Sequence, residues 1–149
     1  MEKRNLGNTG TKVGALGIGA MSFSDFYGPT NTQESHAILK MALDNGIDHI
    51  DTAKVYGMGL SEERIGQFLN TLSPNDRQFF KIATKGGIDR KNFDDKGTVV
   101  FDNSKEFLTE ELNNSLRRLG VDCVELYYVH RREADRAIEE VTETLVEFI

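Results

Sequence analysis

The chain holds a single cysteine, Cys123, so no internal disulfide can form, and a lone thiol fits a reducing compartment. Proline is scarce, and the two present, Pro29 and Pro74, fall where loops are expected. No apolar run approaches the ~20 residues of a membrane-spanning helix. The opening MEKRNLG is polar and lacks the apolar core of a signal peptide. No block of like charge is long enough to read as a disordered tail. Net charge is −6 and the pI about 5.1. That acidic balance argues against nucleic acid or an anionic membrane surface as the main partner. A dinucleotide-binding fingerprint is missing as well, since GIGAMSF supplies only two glycines of the G-x-G-x-x-G spacing. No metal site is assigned. What remains is the expectation of a cytoplasmic protein without a membrane partner.

The 149 residues are 38% hydrophobic and 28% charged, enough for one domain over 1–149 with a real core. Apolar periodicity alternates between short strand-like and longer helix-like segments. Asn8, Gly10 and Gly14 mark a small hairpin that leads into the short strand ALGIGAM. Asn31 and Glu34 form a capping-box pattern ahead of a helix with Ala37, Ile38, Met41 and Ala42 on one face, stopped at Gly46. IDHIDTA reads as the second strand. Ser61 is a candidate cap for a helix whose Ile65, Phe68 and Leu69 share a face. FFKIATKGG is the third strand, and a long polar stretch runs from Ile88 to Asn103, where a lid or specificity loop would sit. Ser104 caps a third helix with Phe107, Leu108, Leu112, Leu116 and Leu119 inside and Gly120 as its stop. DCVELYYVH is the fourth strand, with Cys123 as a small core residue, and AIEEVTETLVEFI begins a fourth helix.

Such βα alternation implies a parallel sheet with helical crossovers. Two α/β architectures compete, an open doubly wound sheet and part of a (β/α)8 TIM barrel. A complete barrel needs about 250 residues, so in the second case the chain is roughly the first half of one, four βα units after an N-terminal β-hairpin.

In parallel α/β folds, chemistry sits at the carboxyl ends of the strands. Asp51, Lys85 and His130 end three successive strands, and Tyr56 lies in the loop after the first of them. A tyrosine with an ordinary pKa of about 10 is a weak proton donor, and a neighbouring cation eases donation by stabilising the phenolate. Lys85 supplies a cation, Asp51 a carboxylate to hold it, and His130 a donor to orient a carbonyl oxygen. A proton donor beside a polarised carbonyl suits reduction of an aldehyde or ketone, with hydride from a nicotinamide cofactor. Each residue also has a bland reading. Asp51 can cap a helix, Lys85 can be solvated, Tyr56 can be a loop aromatic, and His130 can belong to a basic rim with Arg131 and Arg132. Lys54, away from any strand end, reads as exposed. Leu126, Tyr127 and Tyr128 read as packing residues.

At these positions the sequence resembles the aldo-keto reductase family. GIDHIDTAKVYG resembles the segment around the family's catalytic aspartate and tyrosine, IATKGG its lysine segment, and LNNSLRRLGVDCVELYYVHRR its histidine segment. MEKRNLGNTGTKVGALGIGAMSF resembles the N-terminal hairpin and first strand. DFYGP, Asp25 to Pro29, resembles bacterial and fungal members of the group that includes pyridoxal-reductase-like enzymes.

The resemblance implies a (β/α)8 barrel, NADPH, and a small carbonyl substrate. It places the tetrad on Asp51, Tyr56, Lys85 and His130, with Tyr56 as general acid. It sets Gly19, Ala20, Met21 and Asp51 beside the nicotinamide, and Phe23, Tyr27 and Arg131 at the substrate mouth. In family members, strands five to eight supply most of the remaining cofactor contacts, and this chain stops in the fourth helix. A half barrel leaves its first and fourth strands unpaired and its inner face, on strands carrying Ile18, Ile50, Ile82 and Leu126, without a partner layer. Two chains pairing through that face, as a homodimer or exchanged assembly, is therefore one expectation. A truncated gene product, with the rest of the barrel absent or on another polypeptide, is the other, and a non-catalytic remnant is the alternative to an oxidoreductase.

Overall fold

The computed structural model describes residues 1–93 and 98–149, with backbone alone at 91–93. A short hairpin, β1 (Lys3–Asn5) with β2 (Lys12–Gly14), comes first. Asp48 fastens it to the rest of the chain, accepting from the Gly14 amide at 2.6 Å and pairing with Lys3. Burial alone would push the Asp48 carboxyl up; the Lys3 ammonium and the Gly14 amide outweigh burial and hold it below its ordinary range.

Four parallel strands follow: β3 (Gly17–Gly19), β4 (His49–Asp51), β5 (Lys81–Gly86) and β8 (Leu126–Val129). They lie side by side in chain order, β3-β4-β5-β8, with no reversal. A doubly wound sheet reverses its order at a switch point, whereas a barrel wall does not. Of the two α/β architectures, the observed one is therefore a partial barrel wall.

Helices α1 (Thr32–Asp44), α2 (Leu60–Leu69) and α4 (Lys105–Leu119) cover one face, with α2 packed between the other two. The core lies between sheet and helices, built on Leu39, Ile50, Ile65, Phe68, Ile82 and Leu119. The capping box of α1 forms as expected: Asn31 Oδ1 accepts from the Glu34 amide at 2.9 Å, and Glu34 Oε2 accepts from the Asn31 amide at 3.1 Å. The buried face of α1, however, is Ser35, Leu39 and Ala42, and Ile38 and Met41 are exposed, because α1 turns its 35–39–42 stripe toward the core and meets α2 through His36. Ser61 does not cap α2. The helix starts at Leu60 after Gly59, and Ser61 is already buried in its first turn. Pro74 does not sit in a loop as expected: it opens a short helix, α3 (Pro74–Phe79), behind a Ser73 cap, a position where its missing N–H costs nothing.

Ser104 caps α4 by accepting from the Phe107 amide, and the helix ends at Gly120. Its buried stripe is Leu108, Glu111, Ser115 and Leu119, with Phe107, Leu112 and Leu116 only half-buried on its flanks. The stretch Ile88–Asn103 contains a hairpin rather than a plain loop, β6 (Ile88–Phe93) with β7 (Val99–Phe101); residues 94–97 of that stretch lie outside those described. Cys123 is exposed and precedes β8 instead of packing within it, so it is not a core residue. The last helix, α5 (Ile138–Val146), buries Val141 and Thr144.

Side-chain alternation decides which face is open. Ile50 and Ile82 are in register with Ile18 and point into the helix layer, where Ile50 is fully buried. Gly19, Asp51, Ala83 and Leu126 share the opposite face. The open face is thus glycine-rich and polar, and of the expected isoleucines and leucine only Leu126 lies on it. Most of the apolar drive expected for pairing through that face is absent. Among the described residues, no helix is long and apolar enough to cross a membrane.

Candidate active site

Asp51 ends β4, Lys85 lies one residue from the end of β5, and His130 follows β8 directly, its amide donating to the Gly86 carbonyl at 2.8 Å. The parallel register brings the three side chains to one rim. Lys85 Nζ donates to the Asp51 carboxylate and to the Thr52 carbonyl, the latter at 2.8 Å. The same ammonium lies 5.2 Å from the Tyr56 ring centroid and 6.0 Å from that of Tyr128. The Tyr56 and His130 rings meet edge to face, 5.7 Å apart at 85°. Burial, followed by the Lys85 and Arg131 charges, pushes the His130 imidazole below its ordinary pKa, and Asp51 opposes them only in part. The ring is therefore neutral at pH 7. Its Nδ1 is buried and has no hydrogen-bond partner among the described residues.

Local backbone sets Tyr56 in place. The Tyr56 amide donates to the Ala53 carbonyl at 3.0 Å, and the Lys54 amide to the Lys85 carbonyl at 3.3 Å. Gly57 and Met58 then turn left-handed, φ +63° and +56°, which reverses the chain into α2. A Cβ at Gly57 would stand 2.9 Å from the Cβ atoms of both Ser24 and Leu60, so both conformation and space require glycine. Met58 has no such excuse, and its left-handed backbone marks a strained turn beside the tyrosine. Below it, Ser61 Oγ donates to the Ala20 carbonyl at 2.8 Å. Its single proton is thereby used, so Thr52 Oγ1 must be the donor in the 2.8 Å Thr52–Ser61 bond. This chain locks β4, the turn after β3 and α2 together.

Of the residues expected beside a nicotinamide, Gly19 is exposed at the end of β3, and a Cβ there would meet nothing within 4 Å. Met21 is half-buried. Ala20 is fully buried in the core and presents no side-chain surface. Open space at Gly19 on the Asp51 face leaves room for a flat ring. A cavity of about 510 Å³ opens beside Tyr56 and His130. Arg131 lines it as expected. Phe23 does not, because it is 1% exposed within the core. Tyr27 is 73% exposed and packs on Phe26, and it is Phe26 that lines the cavity.

Sequence reasoning missed the buried charges behind the site. Lys54 is buried, not exposed, and its Nζ lies 2.9 Å from Glu111 Oε1. Glu62 is fully buried, accepting from Thr84 Oγ1 at 2.6 Å and from Arg118 Nε at 2.7 Å. Burial pushes the Glu111 carboxyl above its ordinary pKa despite Lys54 and Arg118. The signal for this network was Glu111 itself, a carboxylate set at helical spacing within an otherwise buried stripe. The two tyrosines of β8 also part company. Tyr127 packs against Phe148 and reaches the Leu108 carbonyl at 3.4 Å, whereas Tyr128, in register with Lys85, faces the site.

An acid, a lysine, a phenol and an imidazole thus meet at the carboxyl rim of a parallel barrel wall. Residues 15–149 match the family described as "Aldo/keto reductase family", and the chain belongs to that family. It is 34% identical over 138 residues to aldo-keto reductase yakc [NADP(+)] of Schizosaccharomyces pombe, covering 93% of this chain and 39% of that protein. It is 33% identical to aldo-keto reductase YhdN of Bacillus subtilis, covering 99% and 43%. Among solved structures, aldo-keto reductase AKR11C1 from Bacillus halodurans in its holo form matches with a TM-score of 0.82 and 34% identity, covering 99% of this chain and 46% of that one. The chain thus spans less than half the length of these relatives.

Proposed function

We propose that this chain carries the proton-transfer half of an NADPH-dependent reduction of aldehydes and ketones to alcohols. The observation that carries the reading is the Lys85 ammonium, held by Asp51 under the Tyr56 ring, with His130 edge-on to the same ring. NADPH, when bound, supplies the hydride. Gly19, Met21 and Asp51 would lie along its nicotinamide side, where the glycine leaves space for a flat ring.

Tyr56 Oη donates its proton to the carbonyl oxygen as that oxygen becomes negative. Lys85 stabilises the phenolate left behind, and Asp51 holds Lys85 in position. His130, neutral at pH 7, donates a ring N–H to the same oxygen and orients it. Arg131 and Phe26 border the substrate.

We read residues 1–149 as one unit, the first half of a barrel, in a reducing, cytoplasmic setting that suits the exposed Cys123 thiol. In family members the pyrophosphate and 2′-phosphate contacts lie in strands five to eight, so weak NADPH binding and weak or no turnover are expected from residues 1–149 alone. The test is an NADPH titration followed by NADPH oxidation with an aromatic aldehyde, in wild type and Tyr56→Phe. Failure to bind NADPH at millimolar concentration rules out catalysis by this chain alone, and where wild type turns over, an equal rate in Tyr56→Phe rules out the assigned acid.

A second reading is a partial barrel that self-associates without turnover. It is favoured by β3 and β8, each paired on one side only among the described residues. Mass measurement in solution tests it, and a clean monomer at micromolar concentration sinks it.

A further inference from the structure

The cavity beside Tyr56 has an unusual charge for this chain. One wall is the β6–β7 hairpin. Alternation puts Ile88 and Arg90 on one face of β6, and register sets Phe101 opposite Ile88, with Val99 on that same face of β7. All four line the cavity. Arg131 and His130 line it from the loop after β8. The protein carries a net charge of −6, yet among the described residues the lining holds both arginines and no carboxylate. Elsewhere Arg64, Arg118 and Arg136 each stand beside an aspartate or glutamate. Arg90 and Arg131 have no ion pair among the described residues.

The two arginine-bearing segments are fastened to each other. Asn103, 1% exposed, donates from Nδ2 to the Arg131 carbonyl at 3.1 Å and accepts on Oδ1 from the Glu133 amide at 2.8 Å. Its own amide donates to Glu133 Oε2 at 2.7 Å. At the hairpin's start, a Cβ on Gly87 would come within 2.7 Å of Asn103 Nδ2, so the β5–β6 corner lies directly against this staple. The arginines therefore sit on supported segments, in a cavity that the apolar Phe26, Val55 and Phe101 also line.

We propose that Arg90 and Arg131 form an anion subsite, so that the preferred carbonyl substrates carry a carboxylate beyond an apolar body. This rests on the carbonyl-reduction reading. The planar guanidinium fork matches a carboxylate, and a charge-assisted bond is stronger than a neutral one. A cavity of about 510 Å³ lies in the size range of small-molecule sites. The aldehyde end then reaches Tyr56 and His130 while the acid end meets the arginines.

The test compares 4-formylbenzoate with its neutral methyl ester. Each is titrated into the chain at low salt while the His130 ring and the Arg90 and Arg131 amides are followed by NMR. The acid is expected to bind about tenfold more tightly than the ester, with the advantage shrinking as salt rises. Arg90→Gln and Arg131→Gln are each expected to weaken acid binding about three- to fivefold more than they weaken ester binding. Equal affinities for acid and ester overturn the proposal, as does an equal loss for both ligands in the variants, or no binding of either at millimolar concentration. Both arginines are exposed, and circular dichroism checks folding; if one variant fails to fold, the other carries the comparison. The binding ratio needs no turnover. A failure of the reductase reading shows instead as a measurable wild-type turnover that Tyr56→Phe leaves unchanged.

Discussion

Lys54 Nζ lies 2.9 Å from Glu111 Oε1, with side-chain exposures of only 10% and 8%. Lys54 stands two residues before Tyr56, and its amide also donates to the Lys85 carbonyl. The pair thus pins the Tyr56 segment to α4.

Removing one partner of a buried pair leaves an uncompensated charge. Lys54→Met is expected to cost about 3–5 kcal/mol, measured by urea unfolding at pH 7. Lys54→Met combined with Glu111→Leu should recover part of that loss. Glu111 already has a raised carboxyl pKa. A raised acid binds its proton more tightly in the fold, so stability rises as pH falls through the folded pKa toward the unfolded value. The Lys54→Met deficit should therefore shrink on acidification; a deficit independent of pH contradicts an ionised, stranded Glu111.

His130 offers a direct titration. Its pKa is lowered by burial, then by Lys85 and Arg131. NMR should place its midpoint below 6.5, the ordinary value. Lys85→Met should raise that midpoint, and Asp51→Asn should lower it further. For stability the sign follows: the contribution is complete above the unfolded value and is lost as pH falls from there to the folded pKa.

Gly66 tests the approach of two helices. Alanine would gain about 1 kcal/mol in helix propensity. A Cβ there, however, would overlap the Arg118 carbonyl oxygen and stand 3.0 Å from the Leu119 carbonyl carbon. Backbone cannot swing away as a side chain can, so the clash wins. Gly66→Ala is expected to destabilise by about 1–3 kcal/mol in chemical denaturation; a neutral result contradicts the α2–α4 packing.

Asn103→Ala removes the staple between the β6–β7 hairpin and the Arg131 loop. A loss of about 1–3 kcal/mol is expected from the stranded Glu133 amide and Arg131 carbonyl. Hydrogen exchange should quicken at Ile88, Val100 and Glu133, with β4 unaffected.

Much of the fold was legible in local pattern. The Asn31–Glu34 capping box, the Ser104 cap, the Gly120 stop and the Ile65–Phe68–Leu69 face each lie within one helical turn or one face, and each forms as read. The misreadings have a shared cause. Ile38 and Met41 are apolar and correctly spaced, yet which stripe of a helix is covered depends on the neighbour it meets. Phe23 lies only four residues from Gly19, but the turn after β3 folds it inward under the helices. The hairpin in Ile88–Asn103 carries weak strand signals because its residues are largely polar.

By itself the sequence determined the order of the four parallel strands and the longer helices between them, the caps at Asn31 and Ser104, and the residue types at the strand ends, because these rest on periodicity and capping over short distances. Only the tertiary structure decided that Lys54 meets Glu111, that Arg118 meets Glu62, and that Tyr128 turns to Lys85 while Tyr127 turns away. Those partners lie far apart in the chain. Their meeting depends on sheet register and on how closely α2 approaches α4, and no local pattern carries that information.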